Sequence, residues 1–416
     1  MRIAFIQLWH AEQMGYSDNF MPPAIAAQGH DVHLLTTNVL PYFDTPMYRA
    51  TYEPHFGPGV VEPGVHTQSN GVTLHRLPHA YRRGLLRMKG LFRRLWRLRP
   101  DVVQVNTLNT FPAYEAALYK PLLGYALFYE ARAHRSVFAI ANTRMLLRER
   151  LEWKLWKHGF GQYMSWVCRQ CFPISTDCAG IATRFFGMHR DKIQVAPLGT
   201  DTALFHPPRT PAEHQARLDF RSRLGFADDH VVCIYTGRIS RDKGPLLLAH
   251  AVVRLVAEGL PFRGLFVGDG PPELVHRIRR TPGCVVHPFV PIRDLPAIYR
   301  AADIGVWPRQ ESTSQLDAAA CGLPLILDEA VEVRERIDGN GLTYQGGDSD
   351  DLADKIVALG DPERRRQMGT LGVRRMTALF DWRLLARERL GRYEAALAAR
   401  RRNPSLGAAS ADAYPG

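Results

Sequence analysis

Two cations beside a glycine turn are the residues of this chain best placed to do chemistry. The segment IYTGRISRDKG, residues 234–244, starts as an apolar strand, ends it at Gly237 and then presents Arg238 and Lys243. A strand that ends in a glycine turn and leads into a helix N-terminus is suited to binding an anion, and two cations five residues apart can clamp a diphosphate. The pattern predicts a diphosphate site. The alternative is a surface turn with unpaired basic side chains.

Two further strand ends carry candidate ligand contacts. In LFVGDG a buried strand meets Gly268 and Gly270, where glycine lets the backbone approach a ligand or simply makes the turn. In VWPRQESTSQLD, Glu311 and Asp317 flank a turn rich in hydroxyl groups. Carboxylates at the carboxyl ends of strands commonly accept hydrogen bonds from hydroxyls, so both are candidate contacts for a ribose or a sugar.

The elements that would position these residues are short apolar runs alternating with helical patterns. RIAFIQL, DVHLLTT, PDVVQVN and HVVCIYTG are among the strand-like runs. Strands separated by helices imply parallel sheets with crossover helices, which is a doubly wound α/β fold. At 416 residues with 46% hydrophobic content, the chain can bury two such cores and is long for one. Residues 194–211, rich in Pro, Gly and Thr, are the candidate connection between two domains.

Charge and composition limit the class of protein without deciding the ligand. The net charge of +12 favours nucleotide phosphates, acidic membrane surfaces or nucleic acid as partners. No zinc-finger spacing, RNA-binding aromatic motif or helix-turn-helix signature stands out, so nucleic acid is not expected. The first residues, MRIAFIQLWH, turn polar too early for a signal peptide and read as a buried strand. No apolar stretch reaches the roughly 20 residues of a membrane helix, so a cytoplasmic protein is expected.

Two short motifs that suggest metal binding have simpler interpretations. Cys168 and Cys171 form a lone CxxC without a second pair at zinc-site spacing, and WVCRQCFPIS reads as a buried helix end running into a strand. Asp348 and Asp350 precede DLADKI and read as a helix cap. No metal site is predicted.

A basic segment from Arg82 to Arg99, RRGLLRMKGLFRRLWRLR, contains no acidic residue. Leu85, Met88, Phe92, Leu95 and Trp96 recur at helical spacing against a face of arginines, which predicts a basic amphipathic helix. Such a helix either packs its apolar face on the first domain or contacts an anionic membrane, which would place the protein peripherally at the inner face of the cytoplasmic membrane.

In their order and spacing, the three strand-end motifs resemble the donor half of the GT-B glycosyltransferases. The specific likeness is to the large retaining family 4 type, the glycosyl transferases group 1, which includes sucrose-phosphate synthase and envelope mannosyltransferases. PLGTDTALFHP resembles the interdomain segment of that family, and PFVPIRDLPAIYRAADIGVWP resembles its base-binding turn with the next helix and strand. The resemblance covers nearly all of residues 194–400.

The resemblance implies two Rossmann-like domains that face a central cleft. The N-terminal, acceptor-binding domain would span residues 1–195 and the nucleotide-sugar domain residues 196–380. A closing helix, residues 381–402, would cross back onto the N-terminal domain. The last residues, 403–416, read as a disordered tail.

The resemblance also implies roles for individual residues. Arg238 and Lys243 would hold the donor diphosphate, and Asp317 would replace the second glutamate of the family, which binds ribose. That family separates its two glutamates by seven residues, whereas five separate Glu311 from Asp317, and counting back from Ala-Cys-Gly reaches Arg309. Either the loop is shorter and Glu311 still reaches the transferred sugar, or that contact is lost. The other implied donor contacts are Gly15, Gly237, Gly268, Phe289, Val290, Ser312, Thr313 and Ser314.

The N-terminal half adds fewer candidates. Gly15 stands where a glycine lets the first loop approach the reaction centre. His134 lies near a histidine that several family members place at the transferred sugar, although a lone histidine after a strand is often a loop residue with satisfied hydrogen bonds. Tyr16, Asp18 and Asn19 are candidate acceptor contacts.

The function implied is retaining transfer of a sugar from a UDP- or GDP-sugar to an acceptor, without a metal or other cofactor. A lipid-linked or envelope polysaccharide glycan is the most common acceptor of such enzymes. Two alternatives remain: a small-molecule acceptor, such as a natural product or sugar phosphate, and a degenerate scaffold subunit that has lost turnover.

Overall fold

The computed structural model describes residues 1–82, 85–134, 151, 153–309, 311–331 and 336–402. The tail predicted to be disordered, residues 403–416, lies outside them. The strands are β1 (Arg2–Ile6), β2 (Asp31–Thr37), β3 (Gly64–Thr67), β4 (Val72–Leu77), β5 (His79–Arg82), β6 (Leu85–Met88), β7 (Val102–Val105), β8 (Ala126–Ala131), β9 (Gln170–Pro173), β10 (Val231–Thr236), β11 (Phe262–Val267), β12 (Cys284–His287), β13 (Ile304–Trp307), β14 (Leu325–Asp328) and β15 (Gly341–Tyr344).

The helices of the described residues alternate with these strands. They are α1 (Met21–Ala26), α2 (Glu53–Phe56), α3 (Leu91–Leu98), α4 (Phe111–Leu123), α5 (Gly159–Val167), α6 (Thr176–Phe186), α7 (Pro211–Arg223), α8 (Pro245–Ala257), α9 (Pro272–Arg279), α10 (Leu295–Ala301), α11 (Ser314–Ala320), α12 (Ser349–Ala358), α13 (Pro362–Arg375) and α14 (Trp382–Arg402). Short π-helical turns occur at Tyr48–Tyr52, Trp153–His158 and Met376–Phe380.

The N-terminal half is built on one twisted sheet. Among the described residues, seven strands join it in the order β3-β4-β2-β1-β7-β8-β9, and every neighbouring pair is parallel except β3 with β4. Apolar clusters cover both of its faces, which explains the nearly continuous apolar runs of β1 and β8. The chain runs outward from β1 in both directions, so a crevice forms at the carboxyl ends of β1 and β7.

The C-terminal half repeats this plan with a second core. Its six described strands are all parallel, in the order β12-β11-β10-β13-β14-β15. The strand order reverses between β10 and β13, and open sheets of this kind bind ligands outside the carboxyl ends of the strands at such a point. The predicted pair of Rossmann-like domains is confirmed.

The final helix returns to the first domain, as predicted. Trp382 and Tyr393 of α14 lie in the core that covers one face of the N-terminal sheet, and the Arg389 guanidinium donates to Gln104 Oε1 at 2.6 Å. The outgoing and returning connections run side by side, since Thr200 N donates to Phe380 O at 2.8 Å. The exact domain limits, at 195/196 and 380/381, stay predictions.

The helix predicted from Arg82 to Arg99 is wrong in its first half. The described residues there form a two-stranded hairpin of β5 and β6, and only α3 is helical. Gly90, at the start of α3, has a φ of 77°, which an α-helix cannot contain. Leu86 and Met88 alternate inward as strand residues, whereas Phe92 and Trp96, predicted to pack, are exposed.

The CxxC motif and the Asp348–Asp350 motif both have the structural positions that the sequence predicts. Cys168 ends α5 and Cys171 lies in β9, both as buried free thiols. Asp348 caps α12 by accepting hydrogen bonds from the backbone N–H groups of Asp350 and Asp351. None of the helices in the described ranges is both long and apolar enough to cross a membrane.

Candidate active site

A cleft between the domains lies where the topology of the second sheet predicts a ligand site. It has a volume of ≈ 320 Å³ and is lined by the carboxyl ends of β10 and β11, the start of α11, and the first loop of the N-terminal domain. This volume is at the low end of the range for small-ligand sites. Of the predicted donor contacts, Gly15, Gly237, Arg238, Lys243, Gly268, Phe289, Val290, Ser312, Thr313, Ser314 and Asp317 line it.

The glycine turns make the floor of the cleft by packing directly on each other. Gly237 and Gly268 have φ values of 140° and 138°. A Cβ at Gly268 would lie 2.1 Å from the Gly237 carbonyl oxygen, and one at Gly270 would lie 1.9 Å from the carbonyl oxygen of Ile239. Side chains at either position would therefore force the two strand ends apart, so only glycine permits this floor.

Arg238 and Lys243 both enter the cleft ahead of the N-terminus of α8. Lys243 Nζ donates to the carbonyl oxygen of Glu311 at 3.1 Å, and burial lowers the pKa of its ammonium group. The guanidinium carbon of Arg238 lies 5.9 Å from the centroid of the Tyr42 ring. Two positive groups and the positive end of a helix dipole thus face one space, which is the electrostatic environment that an oligophosphate prefers.

Asp317 lies on the wall of the cleft, in α11. Its Oδ1 accepts a hydrogen bond of 2.7 Å from the hydroxyl of Thr200, which belongs to the connection between the domains. Burial raises the pKa of this carboxyl group to about 7. A desolvated acceptor with lone pairs to spare is a suitable partner for ligand hydroxyls.

The segment Phe289–Ile292 closes the cleft against the first domain. The Phe289 ring meets that of Tyr52 edge to face at 5.1 Å, and Ile292 N donates to Gln13 O at 3.0 Å. A Cβ at Gly15 would lie 2.9 Å from Ile292 Cδ1, so glycine lets the first loop come this close. The cleft is therefore assembled from both domains.

Glu311 is the one predicted donor contact that points elsewhere. Its Oε1 lies 3.7 Å from His134 Nδ1, across the domain boundary, and Asp177 Oδ2 lies 3.5 Å from the same nitrogen. Burial lowers the pKa of His134. The structure thus brings together Glu311 and His134, which the sequence assigned separately to the transferred sugar.

His134, Asp177 and Glu311 also form a group that could hold a metal ion, since their ligand atoms lie within 4.8 Å of one another. The nearby Arg336 guanidinium disfavours additional positive charge there, as its lowering effect on the pKa of His134 indicates. The expected independence from metal stays a prediction.

A second cavity, of ≈ 700 Å³, occupies the crevice of the first sheet. Tyr16 and Tyr42 line both cavities, and their hydroxyl oxygens are 3.4 Å apart. Aromatic and apolar side chains dominate the rest of its lining, while Arg132 supplies a positive charge. The other aromatic and apolar members are Leu8, Trp9, Pro41, Phe43, Tyr81, Leu85, Leu86, Phe111, Ala133 and Phe186.

The three acceptor candidates are placed differently. Tyr16 stands between the cavities. Asp18 is buried and its carboxylate forms a short contact with His10 Nδ1, while Asn19 Nδ2 donates to the carbonyl oxygens of Ala11 and Met14 at 2.8 and 2.7 Å. These two residues hold the loop that carries Tyr16, and their acceptor role stays a prediction.

Two known sequence families match most of the chain that builds this site. Residues 23–204 match the description Glycosyltransferase Family 4, and residues 230–361 match Glycosyl transferases group 1. The first match contains His134; the second contains Arg238, Lys243 and Asp317. The chain belongs to the group 1, family 4 glycosyltransferases.

Relatives of this glycosyltransferase differ in what they act on. A D-inositol 3-phosphate glycosyltransferase of Xylanimonas cellulosilytica is 33% identical over 213 residues, 48% of this chain and 50% of the relative. A GDP-mannose-dependent monoacylated alpha-(1-6)-phosphatidylinositol monomannoside mannosyltransferase of Corynebacterium glutamicum is 30% identical over 220 residues, 49% of this chain and 56% of the relative. The chain spans about half the length of these curated relatives.

The fold of this glycosyltransferase is shared with solved structures. Anabaena HepE in complex with UDP-glucose superposes with a TM-score of 0.66, covering 96% of this chain and 100% of that one at 16% identity. At that identity the likeness establishes the fold alone.

In this glycosyltransferase the spacing between Glu311 and Asp317 is two residues shorter than in the family pattern, and this places an arginine at the expected glutamate position. Arg309, which occupies the position counted back from Ala-Cys-Gly, lies behind Gly244: its Cδ would be 3.1 Å from a Cβ placed there. Its side chain lines a separate depression with Arg241 and Pro245, away from the cleft. Glu311 is thus the acidic residue of this loop nearest to the N-terminal domain wall.

Sequence reasoning missed several residues that line the cavities of this glycosyltransferase, among them Asp269, Arg132 and Tyr42. Asp269 accepts a hydrogen bond of 2.7 Å from Thr51 Oγ1, which ties the domains together at the cleft. Arg132 follows β8, so the rule that pointed to Asp317 could have found it. Tyr42 has a φ of 65°, a left-handed conformation. The sequence could not predict it, because glycine and asparagine are the residues that usually indicate this conformation and position 42 is a tyrosine.

Proposed function

We propose that this protein transfers a sugar, with retention of anomeric configuration, from a UDP- or GDP-sugar to an acceptor held by the N-terminal domain. The observation that carries the proposal is that Arg238 and Lys243 face one cleft at the switch point of the second sheet, with the N-terminal domain opposite. Positive groups there stabilise the charge that develops on the leaving diphosphate in the transition state.

The environment of the cleft carboxylates supports retention without a protein base behind the sugar. Asp317 and Asp269 both line the cleft, and each accepts a hydrogen bond from a threonine hydroxyl of another segment. Each carboxylate thus already serves a contact between two segments of the protein. We infer that the leaving phosphate itself receives the acceptor proton.

The second cavity would hold the acceptor, because it shares Tyr16 and Tyr42 with the lining of the donor cleft. Its aromatic lining suits a glycan that carries a lipid or another apolar group, and sugar rings stack on aromatic faces. The corynebacterial relative is named for a phosphatidylinositol mannoside acceptor. We propose a lipid-linked or envelope glycan, with the enzyme working at the inner face of the cytoplasmic membrane.

A small phosphorylated acceptor is the second candidate. Arg132 lies in the same cavity, with Nε 2.5 Å from Glu130 Oε1 and Nη2 2.5 Å from Ser17 Oγ, so its guanidinium is held in place. A positioned guanidinium suits a phosphate. The Xylanimonas relative is named for D-inositol 3-phosphate.

The test is a thermal-shift panel of UDP-, GDP- and ADP-sugars, followed by a hydrolysis assay of each donor that binds. We expect at least one UDP- or GDP-sugar to raise the Tm and to be hydrolysed slowly without acceptor. A donor that binds but is never cleaved, with any acceptor tried, would favour the scaffold alternative. No shift with any donor contradicts the proposal.

A further inference from the structure

One layer of helices in the N-terminal domain is strongly basic. Residues 85–99, 111–123 and 153–169 contain ten Lys and Arg and one acidic residue, a net charge of +9 over 45 positions. In the structure they form β6 with α3, then α4, and then a π-helical turn with α5. All three helices cover the same face of the N-terminal sheet.

The single acidic residue does not offset this charge at the surface. Glu115 is buried, and its Oε1 accepts hydrogen bonds from Arg87 Nη2 at 2.6 Å and from the Tyr119 hydroxyl at 2.9 Å. The guanidinium groups of Arg93 and Arg97, on exposed positions of α3, have no acidic residue within these segments to pair with. The layer therefore presents a net positive field to solvent.

Large apolar side chains project from the same layer. Trp166 on α5 is 77% exposed, Leu122 on α4 is 76% exposed, and Trp96 on α3 is 54% exposed. The inner residues of these helices, such as Leu95, Ala116 and Met164, already form the core. The exposed ones are thus not needed to hold the helices on the sheet, and several large exposed apolar side chains on one layer are typical of an interaction surface.

Contacts between the helices show that they lie side by side. Tyr119 of α4 meets the ring of Phe92, on α3, at 5.1 Å. On the other side, the Tyr163 hydroxyl of α5 donates to Ala117 O at 3.4 Å, and the Tyr163 ring lies 6.1 Å from that of Trp166. We call the outer surface of α3, α4 and α5 the helical face.

We propose that the helical face docks on an anionic membrane surface. Tryptophan and leucine insert at the boundary between headgroups and acyl chains, while Lys and Arg attract anionic lipids. The cations attract the anionic surface and the two exposed tryptophans add apolar area, so the combination exceeds what either supplies alone. A nucleic acid would interact with the cations but offers no apolar region in which the Leu122 side chain could be buried.

The location of the helical face relates it to the acceptor cavity. Tyr81 and Leu85, on the hairpin that leads into α3, are exposed and line that cavity. A membrane against the helical face would lie beside the cavity mouth. This link to a lipid-borne acceptor rests on the proposed function, whereas the docking surface itself does not.

Co-sedimentation of the full chain with lipid vesicles tests the inference. We expect binding to phosphatidylcholine vesicles that contain phosphatidylglycerol, weaker binding as salt is raised, and little binding to phosphatidylcholine alone. A double variant, Trp96→Ser with Trp166→Ser, should lower the partition coefficient about tenfold or more, and Arg93→Ser with Arg97→Ser should lower it several-fold. A matched control, Leu371→Ser with Arg374→Ser on the exposed side of α13, should leave it unchanged.

Three outcomes would overturn the inference. The first is that the wild type binds neither kind of vesicle. The second is that the α13 control loses vesicle binding as strongly as the helical-face variants do. The third is that the wild type is a dimer while the tryptophan variant is a monomer, because a second copy of the chain would then be what covers the helical face. The Tm shift with the UDP- and GDP-sugars is measured on every variant. It should be unchanged, so loss of vesicle binding with intact donor binding concerns the helical face and not the donor cleft.

Discussion

The guanidinium of Arg238 lies over the ring of Tyr42, 5.9 Å from its centroid, and joins the cleft of the C-terminal domain to the wall of the N-terminal domain. Tyr42 also stacks on Tyr52 at 5.7 Å and lines both cavities. Its left-handed backbone costs about 1 kcal/mol or more, and such conformations persist where the surroundings require them. We therefore expect Tyr42 to act as a positioning residue between the proposed acceptor and donor sites.

The ring of Tyr42, more than its hydroxyl, should matter for transfer. Cation–π contacts contribute about 0.5–2 kcal/mol, so Tyr42→Ala should lower kcat/KM by about threefold to thirtyfold, while Tyr42→Phe should stay close to wild type. Steady-state kinetics on the donor found by the thermal-shift panel measure this. An equal loss in both variants would assign the effect to the hydroxyl shared with Tyr16.

Lys243 should be needed for chemistry. Removing its ammonium group in Lys243→Ala takes away charge stabilisation at the leaving diphosphate, worth roughly 3 kcal/mol or more, so turnover should fall at least about a hundredfold. Arg241→Ala is the matched control, because Arg241 lies in the same loop but faces away from the cleft. Near-normal turnover of the Lys243 variant would contradict the donor assignment.

Glu311→Ala should affect sugar transfer more than nucleotide binding. Lys243 is held by the backbone carbonyl of Glu311, which the substitution keeps, whereas the carboxylate beside His134 is lost. We expect kcat to fall by about tenfold to a hundredfold, with the Kd for the free nucleotide within about twofold of wild type. Calorimetry with UDP and GDP, beside single-turnover assays, separates the two. Equal losses would point to a structural role for the loop.

Acid should destabilise the N-terminal domain through its buried histidine pair. His33 Nδ1 and His75 Nε2 form a hydrogen bond of 2.9 Å. Burial lowers the pKa of His75 from 6.5 to about 4. The unfolded chain therefore binds the proton first, and the free energy of unfolding should fall by roughly 3 kcal/mol between pH 6.5 and 4. Urea titrations across this range should show a flatter pH dependence in His75→Phe. His189→Ala, which removes an exposed imidazole, should leave the slope as it is.

Chelation should leave the enzyme active. The reaction proposed uses Arg238 and Lys243, and no step needs a divalent ion. Dialysis against EDTA should keep the rate of donor hydrolysis within about twofold. A loss restored by added Mn²⁺ or Mg²⁺, and abolished in Asp177→Asn, would assign a metal to the group of His134, Asp177 and Glu311.

The sequence alone determined the donor half of this protein. Gly237, Arg238 and Lys243 act through local geometry, since a strand, a glycine turn and a helix start are adjacent in the chain. The carboxyl ends of parallel strands meet at one edge of the sheet, so Gly268 and Asp317 could be placed beside them without coordinates. The alternation of strands and helices determined the two doubly wound domains in the same way.

Only the tertiary structure decided how the domains meet and how the basic segment folds. Leu86, Met88, Leu91 and Leu95 fit a helical period as well as a strand followed by a helix, and packing on the sheet selected the second. The contacts of Tyr42 with Arg238 and of His134 with Glu311 join residues more than 170 positions apart. No local pattern encodes such pairs, because they depend on the relative placement of two separately folded cores.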